Sequence, residues 1–296
     1  MTKTVLILGA SGKIGTHSAR AFEAAGWTVR RFDRKTDDMT QAAMGCDVIV
    51  NGMNPPKYHN WAEIIPQITR DVIAAARASG ATVVIPGNVY VYGDTAGEWS
   101  ETTPHRPCSR KGRIRDEMER AYRDSGVQTI ILRAGNFLDP ESGDDVMTAM
   151  VLARLDKGRM MYPGPGDVVT PWCYLPDWAR AAVALAEMRD ALGRFEDVPF
   201  PGHALSLDEV RAWLSAAMGR PIRRTSFPWW ALRLAAPVWE LGRELTEMRY
   251  LCDTPHTLAP KRLEALLPGF RPTPLDTVLR GYLPEAAASA AAPVRA

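Results

Sequence analysis

The sequence predicts an α/β fold: a doubly wound parallel sheet whose third strand is missing, joined to a smaller C-terminal lobe. Short apolar runs alternate with helical segments from residue 4 to residue 133, the pattern of a parallel sheet with helices on both faces. Residues 35–46 have room for one short helix, but not for the helix–strand–helix that would contain a third strand. Beyond Pro140 the alternation gives way to Gly- and Pro-rich loops between helices.

The first strand and helix flank a glycine pattern. Residues 5–8 are apolar in a row, which suits a strand buried on both faces, and a helix follows from about residue 14 to residue 25. Between them, Gly9 permits a sharp turn, Gly12 leaves room for a diphosphate, and Gly15 lets the helix approach the strand. Free N–H groups at the helix start favour an anion. The pattern predicts a dinucleotide site, against the simpler alternative of a turn with spare glycines, and its contacts are expected at Gly9, Ser11, Gly12, Lys13, Ile14 and Gly15.

The second strand, residues 28–33, carries Arg30 and Arg31 in its middle, which is unusual for a buried parallel strand. Without a third strand this one becomes the sheet edge, where charged residues are tolerated. Asp33 ends the strand and favours NAD, because its carboxylate accepts hydrogen bonds from the ribose hydroxyls. Arg34 follows and could pair with the extra phosphate of NADP. The predicted cofactor is NAD or NADP, with NAD favoured, and Asn51 after the next strand completes the expected contacts.

The remaining elements follow from the same patterns. The sequence predicts helices at residues 61–79, 109–125, 145–155 and 177–188, strands at 82–85, 128–132 and 195–198, a capped helix starting after Ser206 and a last helix starting at Pro274. We therefore expect residues 1–139 and 174–200 to form the dinucleotide-binding domain. Residues 140–173 and 201–284 would form a substrate lobe, and residues 285–296 a disordered tail.

The composition is that of an ordinary soluble protein, and the four widely spaced cysteines, which suit reduced thiols, lead us to expect a cytoplasmic location. The 296 residues carry a net charge of +2, which gives no basic field for nucleic acid. No apolar run reaches the roughly 18 residues of a membrane span, and no secretory signal precedes the first strand. Cysteines and histidines are scattered, so no metal site or disulfide framework is predicted. The expected partner is a small-molecule substrate, and a homodimer is compatible with the sequence.

Three further motifs support one family resemblance. Val91-Tyr92-Gly93 follows the strand at residues 82–85, Arg133 and Asn136 form an R-x-x-N segment, and Tyr174 to Ala179 reads Y-L-P-D-W-A. With the glycine pattern, these motifs resemble the extended short-chain dehydrogenase/reductases, the NAD-dependent epimerase/dehydratase family, over residues 3 to about 283. The resemblance implies a Rossmann fold and an oxidoreductase or epimerase acting on a carbinol or carbonyl.

The residues that carry that family's chemistry are replaced. The family uses a Ser or Thr and a Tyr-x-x-x-Lys pair as its proton relay. By alignment to the motifs, these positions fall on Asn88, Cys108 and Gly112, and Lys111 stands one residue early. General acid–base catalysis contributes roughly 10²–10⁴-fold, so the family's mechanism cannot be carried over unchanged.

Four neighbouring residues are candidates to replace that relay. Asn88 could hold a substrate carbonyl, and Tyr90 could act as an acid or base with Lys111 lowering its pKa. On an extended segment Asn88, Tyr90 and Tyr92 would face the same way. Cys108 could be a nucleophile beside basic neighbours. The simpler alternatives are packing roles for both tyrosines and an inert cysteine.

Two other functions stay open at this point. The chain could be a non-catalytic NAD(P)-binding regulator or assembly subunit, as the replaced tyrosine and lysine suggest. It could also be a scaffold that uses the Trp-rich residues 226–251 on a partner or membrane surface. For that segment, the core of the small lobe is the favoured interpretation.

Overall fold

The computed structural model describes residues 2–284, and the predicted disordered tail at residues 285–296 lies outside them. The strands are β1 (Thr4–Leu8), β2 (Thr28–Arg31), β3 (Val48–Asn51), β4 (Thr82–Gly87), β5 (Gly97–Trp99), β6 (Thr129–Arg133), β7 (Asn136–Leu138), β8 (Arg159–Tyr162), β9 (Thr170–Tyr174), β10 (Phe195–Pro199), β11 (His203–Leu205), β12 (Arg223–Ser226) and β13 (His256–Leu258). The helices are α1 (Lys13–Ala24), α2 (Met39–Ala43), α3 (Trp61–Ser79), α4 (Arg110–Ser125), α5 (Leu175–Glu187), α6 (Leu207–Ala217), α7 (Trp229–Ala235), α8 (Glu240–Glu247), α9 (Tyr250–Asp253), α10 (Lys261–Leu266) and α11 (Leu275–Arg280).

A parallel six-stranded sheet with the order β10-β6-β4-β3-β1-β2 forms the centre of the molecule. The predicted fold class is confirmed, and β2 is one of the two edge strands, because no strand pairs beyond it within residues 2–284. The two arginines of β2 are exposed, as expected at an edge. Arg30 donates a hydrogen bond of 2.7 Å to the carbonyl of Met44, and Arg31 pairs with Glu23 at 2.7 Å.

Alternate residues of the central strands point to opposite faces of the sheet, and each face has its own core. In β1, Val5 and Ile7 pack with Phe22 of α1 and Trp178 of α5. Leu6 and Leu8 face the other side and pack into the core formed with α3 and α4. Helices therefore cover both faces, which is the doubly wound arrangement, and the carboxyl ends of the strands share one edge.

The C-terminal region adds smaller sheets and a third core. β11, β9 and β7 form one sheet, while β12 pairs with β8 and β13 pairs with β5. The third core joins residues of both ranges assigned to the substrate lobe, such as Met160 and Leu214. The capping box of Ser206 and Glu209 is present at the start of α6. The domain boundaries remain a prediction.

Three local predictions need correction. The helix expected at residues 145–155 is a single π-helical turn, Met147–Val151. The segment Tyr90–Tyr92 is a 3₁₀ helix rather than an extended strand, so its two tyrosines point to different places. Residues 226–251 are only partly core, because Trp229 is buried whereas Trp230 is 69% exposed.

Within residues 2–284, no helix combines the length and apolar character that crossing a bilayer requires.

Candidate active site

The glycine loop joins β1 to α1 with very little space. Gly9 has a φ of +71°, a left-handed conformation that favours glycine, and its carbonyl accepts a hydrogen bond of 2.9 Å from the N–H of Gly12. A Cβ at Gly15 would lie 2.2 Å from the carbonyl oxygen of Gly9, so α1 can begin here only without a side chain. The first N–H groups of α1 lack partners within the helix and can meet an anion. The loop therefore fits a dinucleotide diphosphate.

A cavity of about 780 Å³ extends from this loop along the carboxyl ends of β3, β4 and β6. Ligands of open parallel sheets bind at this edge. The predicted contacts that line the cavity are Ser11, Gly12, Lys13, Ile14 and Asn51.

The other predicted cofactor residues lie behind or beside the cavity. Gly9 and Gly15 shape the loop, while Asp33 and Arg34 are exposed just after β2. One carboxylate oxygen of Asp33 accepts the N–H of Lys35 at 2.9 Å, which fixes the turn after the strand. The binding roles of all these residues remain predictions.

One wall of the cavity is held to α1 by ion pairs. Lys13 Nζ lies 3.0 Å from Asp144, and Arg20 lies 2.7 Å from Glu141. The hydrogen bond from Lys13 lowers the pKa of the Asp144 carboxyl. The segment around residues 139–144 therefore closes against the glycine loop.

Asn88 stands directly after β4 and lines the cavity. Its Oδ1 accepts the N–H of Tyr90 at 3.0 Å, and its carbonyl oxygen accepts a hydrogen bond of 2.6 Å from Arg133. Its Nδ2 has no hydrogen-bond partner within residues 2–284. These two hydrogen bonds therefore fix the position of Asn88, and its Nδ2 is free to donate to a substrate oxygen.

Tyr90 also lines the cavity, and its hydroxyl lies 3.3 Å from the hydroxyl of Tyr58. Burial raises the pKa of Tyr90 well above its ordinary value, Tyr58 raises it further, and Arg115 opposes both. At neutral pH Tyr90 is therefore a phenol that can donate a proton. Tyr92 instead packs on Trp99 and donates its hydroxyl to the carbonyl of Ser100, outside the cavity.

Tyr58 reaches the cavity from a strained loop. Lys57, Tyr58 and Asn60 have φ values of +52°, +62° and +44°, which are unfavourable for residues other than glycine. Such strain is stored preferentially at functional sites. The sequence does not single out Tyr58, because nothing local marks a tyrosine in the left-handed conformation.

The structure does not bring Lys111 to Tyr90. Lys111 is fully buried, and its Nζ pairs with Glu244 and, at 2.7 Å, with Glu247 of α8. Lys111 therefore cannot lower the pKa of Tyr90 as expected, and it serves instead to attach α8 to α4. Nothing in the local sequence around Lys111 points to these acidic partners.

Cys108 lies away from the cavity, contrary to its expected role. Cys108 is exposed, but partial desolvation of its sulfur raises the pKa of the thiol, and Asp94 raises it further. The basic neighbour Arg110, expected to favour a thiolate, pairs with Glu244 at 2.7 Å. Cys108 therefore stays a protonated thiol at neutral pH.

Gly112 cannot carry the lysine of the resembling family. A Cβ at this position would lie 2.6 Å from the carbonyl oxygen of Tyr90 and 2.9 Å from Cβ of Pro107. The 3₁₀ helix that carries Tyr90 thus rests directly on the first turn of α4.

Comparisons with known proteins agree with this architecture. A model of the NAD dependent epimerase/dehydratase family matches residues 5–198. The chain is similar to the structure of MoeE5 in complex with UDP-glucose and NAD, with 18% identity, a TM-score of 0.74, and coverage of 95% of this chain and 97% of that one. It is also similar to UDP-glucuronic acid 4-epimerase from Bacillus cereus in complex with NAD, with 15% identity, a TM-score of 0.71, and coverage of 93% of this chain and 96% of that one. For UDP-glucose 4-epimerase from Brucella ovis in complex with NAD, the identity is 16%, the TM-score is 0.70, and 98% of each chain is covered. At these identities the likeness establishes the fold, and no curated protein sequence matches the chain.

Proposed function

The chain belongs to the NAD dependent epimerase/dehydratase family, and we propose that it is an NAD(P)-dependent oxidoreductase or epimerase acting on a carbinol or carbonyl of a small molecule. The family resemblance found in the sequence is confirmed, and so is the cofactor class, NAD or NADP. Between the two we propose NAD, because the Asp33 carboxylate would repel a 2′-phosphate. A cytoplasmic location and a homodimer remain predictions.

The observation that carries the proposal is the pair of tyrosine hydroxyls, 3.3 Å apart, beside Asn88 in the cavity. When bound, the nicotinamide cofactor supplies or accepts a hydride at the reacting carbon. Asn88 Nδ2 donates a hydrogen bond to the substrate oxygen, which orients the carbonyl. Tyr90 gives its proton to that oxygen on reduction and regains one through Tyr58, whose hydroxyl is within hydrogen-bond reach.

A second candidate function is a non-catalytic NAD(P)-binding protein. The observation that favours it is the pairing of Lys111 with Glu244 and Glu247, which leaves Tyr90 without the lysine that activates the family's tyrosine. The Tyr58–Tyr90 pair would then only pack.

Substitution of Tyr90→Phe tests the first function. The wild-type protein is mixed with NAD or NADH and a panel that begins with UDP-glucose and UDP-glucuronic acid, ligands named for similar structures. Redox change of the nicotinamide and epimerised product are both measured. Loss of the proton donor should reduce kcat about 10²–10⁴-fold and leave the affinity for NADH unchanged.

Tyr92→Phe is the matched control, because it removes a hydroxyl two residues away whose one hydrogen bond in the described part of the chain is to the carbonyl of Ser100. Its turnover should equal that of the wild-type protein. Full activity of Tyr90→Phe would remove Tyr90 from the mechanism. A wild-type protein that binds NADH but turns over no member of the panel would support the non-catalytic function.

A further inference from the structure

The described residues include three buried lysine or arginine side chains, and they differ in what neutralises them. Arg133 is paired with Glu119 and Asp197, and Lys111 with Glu244 and Glu247. Arg115 is only 9% exposed, yet no carboxylate lies within 4.0 Å of its guanidinium in residues 2–284. A buried charge is costly unless it is paired, so an unpaired one calls for a ligand.

The contacts of Arg115 hold the guanidinium without neutralising it. Nη2 donates to Asn54 Oδ1 at 2.8 Å, Nη1 lies 3.4 Å from the sulfur of Met118, and the guanidinium carbon is 4.6 Å from the ring centroid of Trp61. Nε is buried and has no hydrogen-bond partner among residues 2–284. The fork is therefore preorganised, with Nε–H and a second hydrogen on Nη2 left over.

Arg115 lines the same cavity as Tyr58 and Tyr90. We propose that Arg115 is an anion subsite that binds a carboxylate group of the substrate beside the reacting carbonyl or carbinol. The proposal deepens the proposed function, and it rests on that function only in taking this cavity as the substrate site.

The surrounding charge favours a carboxylate over a phosphate. Asn54, Tyr58 and Tyr90 contribute neutral donors and acceptors. Glu119, whose charge also acts on Arg115, is itself paired with Arg133, so the subsite offers one positive charge. A carboxylate monoanion balances that charge and matches the planar fork, whereas a phosphate dianion would leave a negative charge buried. The cofactor diphosphate has its own cradle at the start of α1, which packs on the opposite face of the sheet from α4.

The experiment observes the arginine itself in the intact protein. The Nε–H resonance of Arg115 is assigned in an arginine-labelled NMR spectrum by its loss in Arg115→Lys. Sodium acetate, sodium chloride and inorganic phosphate are then titrated into the wild-type protein at equal ionic strength. We expect a saturable shift of the Arg115 resonance with acetate and no saturable shift with chloride or phosphate.

Variants separate the subsite from general charge effects. Arg115→Lys keeps the charge and removes the fork, and it should weaken acetate binding at least about tenfold. Arg113→Lys is the matched control, because Arg113 is exposed on the same helix, and it should bind acetate as the wild-type protein does. NADH affinity should be unchanged in both.

Three outcomes would overturn the proposal. They are the absence of a saturable acetate shift, a saturable shift with phosphate in its place, and a loss of NADH affinity in Arg115→Lys that assigns the arginine to the cofactor. None of these measurements depends on turnover, so failure of the subsite and failure of the Tyr90 mechanism are distinguishable.

Discussion

Arg133→Met should be among the most destabilising single substitutions in the protein. The Arg133 side chain is fully buried, with hydrogen bonds of 2.8 and 3.0 Å to Glu119 of α4 and of 2.6 and 3.1 Å to Asp197 of β10. It also donates to the carbonyl of Asn88. One guanidinium therefore joins α4, the edge strand β10 and the turn that carries the proposed carbonyl-binding amide.

The magnitude follows from what methionine leaves behind. Methionine fills most of the volume of the arginine side chain, so the loss of stability is mainly electrostatic. Glu119 and Asp197 have side chains 1% and 9% exposed, and the next potential cation is His105, whose Nε2 is 3.8 Å from Glu119. Removing one partner of a buried pair costs about 3–5 kcal/mol, and here two carboxylates lose the same partner, so we expect the upper end of that range.

Urea unfolding, monitored by circular dichroism, measures this loss. The midpoint urea concentration should fall, while the dependence of the free energy of unfolding on urea concentration should stay unchanged. Arg31→Met is the control, since it breaks an exposed pair with Glu23 and should cost about 0–1 kcal/mol. Adding Glu119→Gln and Asp197→Asn to Arg133→Met should restore much of the stability, because no buried charge remains. A loss below about 1 kcal/mol for Arg133→Met would refute the reasoning.

Two further predictions concern the cofactor loop and the attachment of α8. Gly15→Ala places a Cβ 2.2 Å from the carbonyl of Gly9, so it should abolish NADH binding in a fluorescence titration while the protein stays folded, and retained affinity would contradict the fit of the loop. For Glu247, burial raises the carboxyl pKa but hydrogen bonds from Lys111 outweigh it, and the folded-state pKa lies below its ordinary value. The stability this carboxylate contributes is therefore present at neutral pH and lost as pH falls through that pKa, so Glu247→Gln should destabilise the protein at pH 7, and its difference from the wild-type protein should shrink as the pH falls below the ordinary glutamate pKa of about 4.3. Unfolding curves at pH 7 and at a series of acidic pH values check this, and a difference that does not shrink in acid would argue against it.

The features that the sequence predicted correctly are those with local signals. Three local patterns predicted the sheet, the absence of its third strand and the position of β2 at an edge. These patterns are the apolar runs, the glycines that end helices, and the short segment before β3. The glycine loop was recognisable because each glycine has a separate steric reason, as Gly9 and Gly15 show. The π-helical turn at Met147–Val151 was missed, because its sequence has the same apolar periodicity as an ordinary helix.

The contacts that define the candidate site are long-range, and this is why they could not be read from the sequence. Lys111 meets Glu244 and Glu247 only because α8 folds back over α4, and no spacing rule joins residues so far apart. For Arg115, in contrast, the local sequence contains a signal. It shares a helix face with Met118 and Tyr122, at i+3 and i+7, so a charge on the apolar stripe of α4 was visible in advance.

The replaced residues of the family are connected to one another by geometry. Any side chain at residue 112 would push the turn of Tyr90 away from α4, because its Cβ would lie 2.6 Å from the carbonyl oxygen of Tyr90. The family's lysine and the present position of Tyr90 therefore exclude each other. Arg115 lies close enough to Tyr90 for its charge to oppose the rise in the pKa of that tyrosine. The missing lysine and the turn at Tyr90 are thus linked, which is why we treat the site as rebuilt and test it through Tyr90 and Arg115 together.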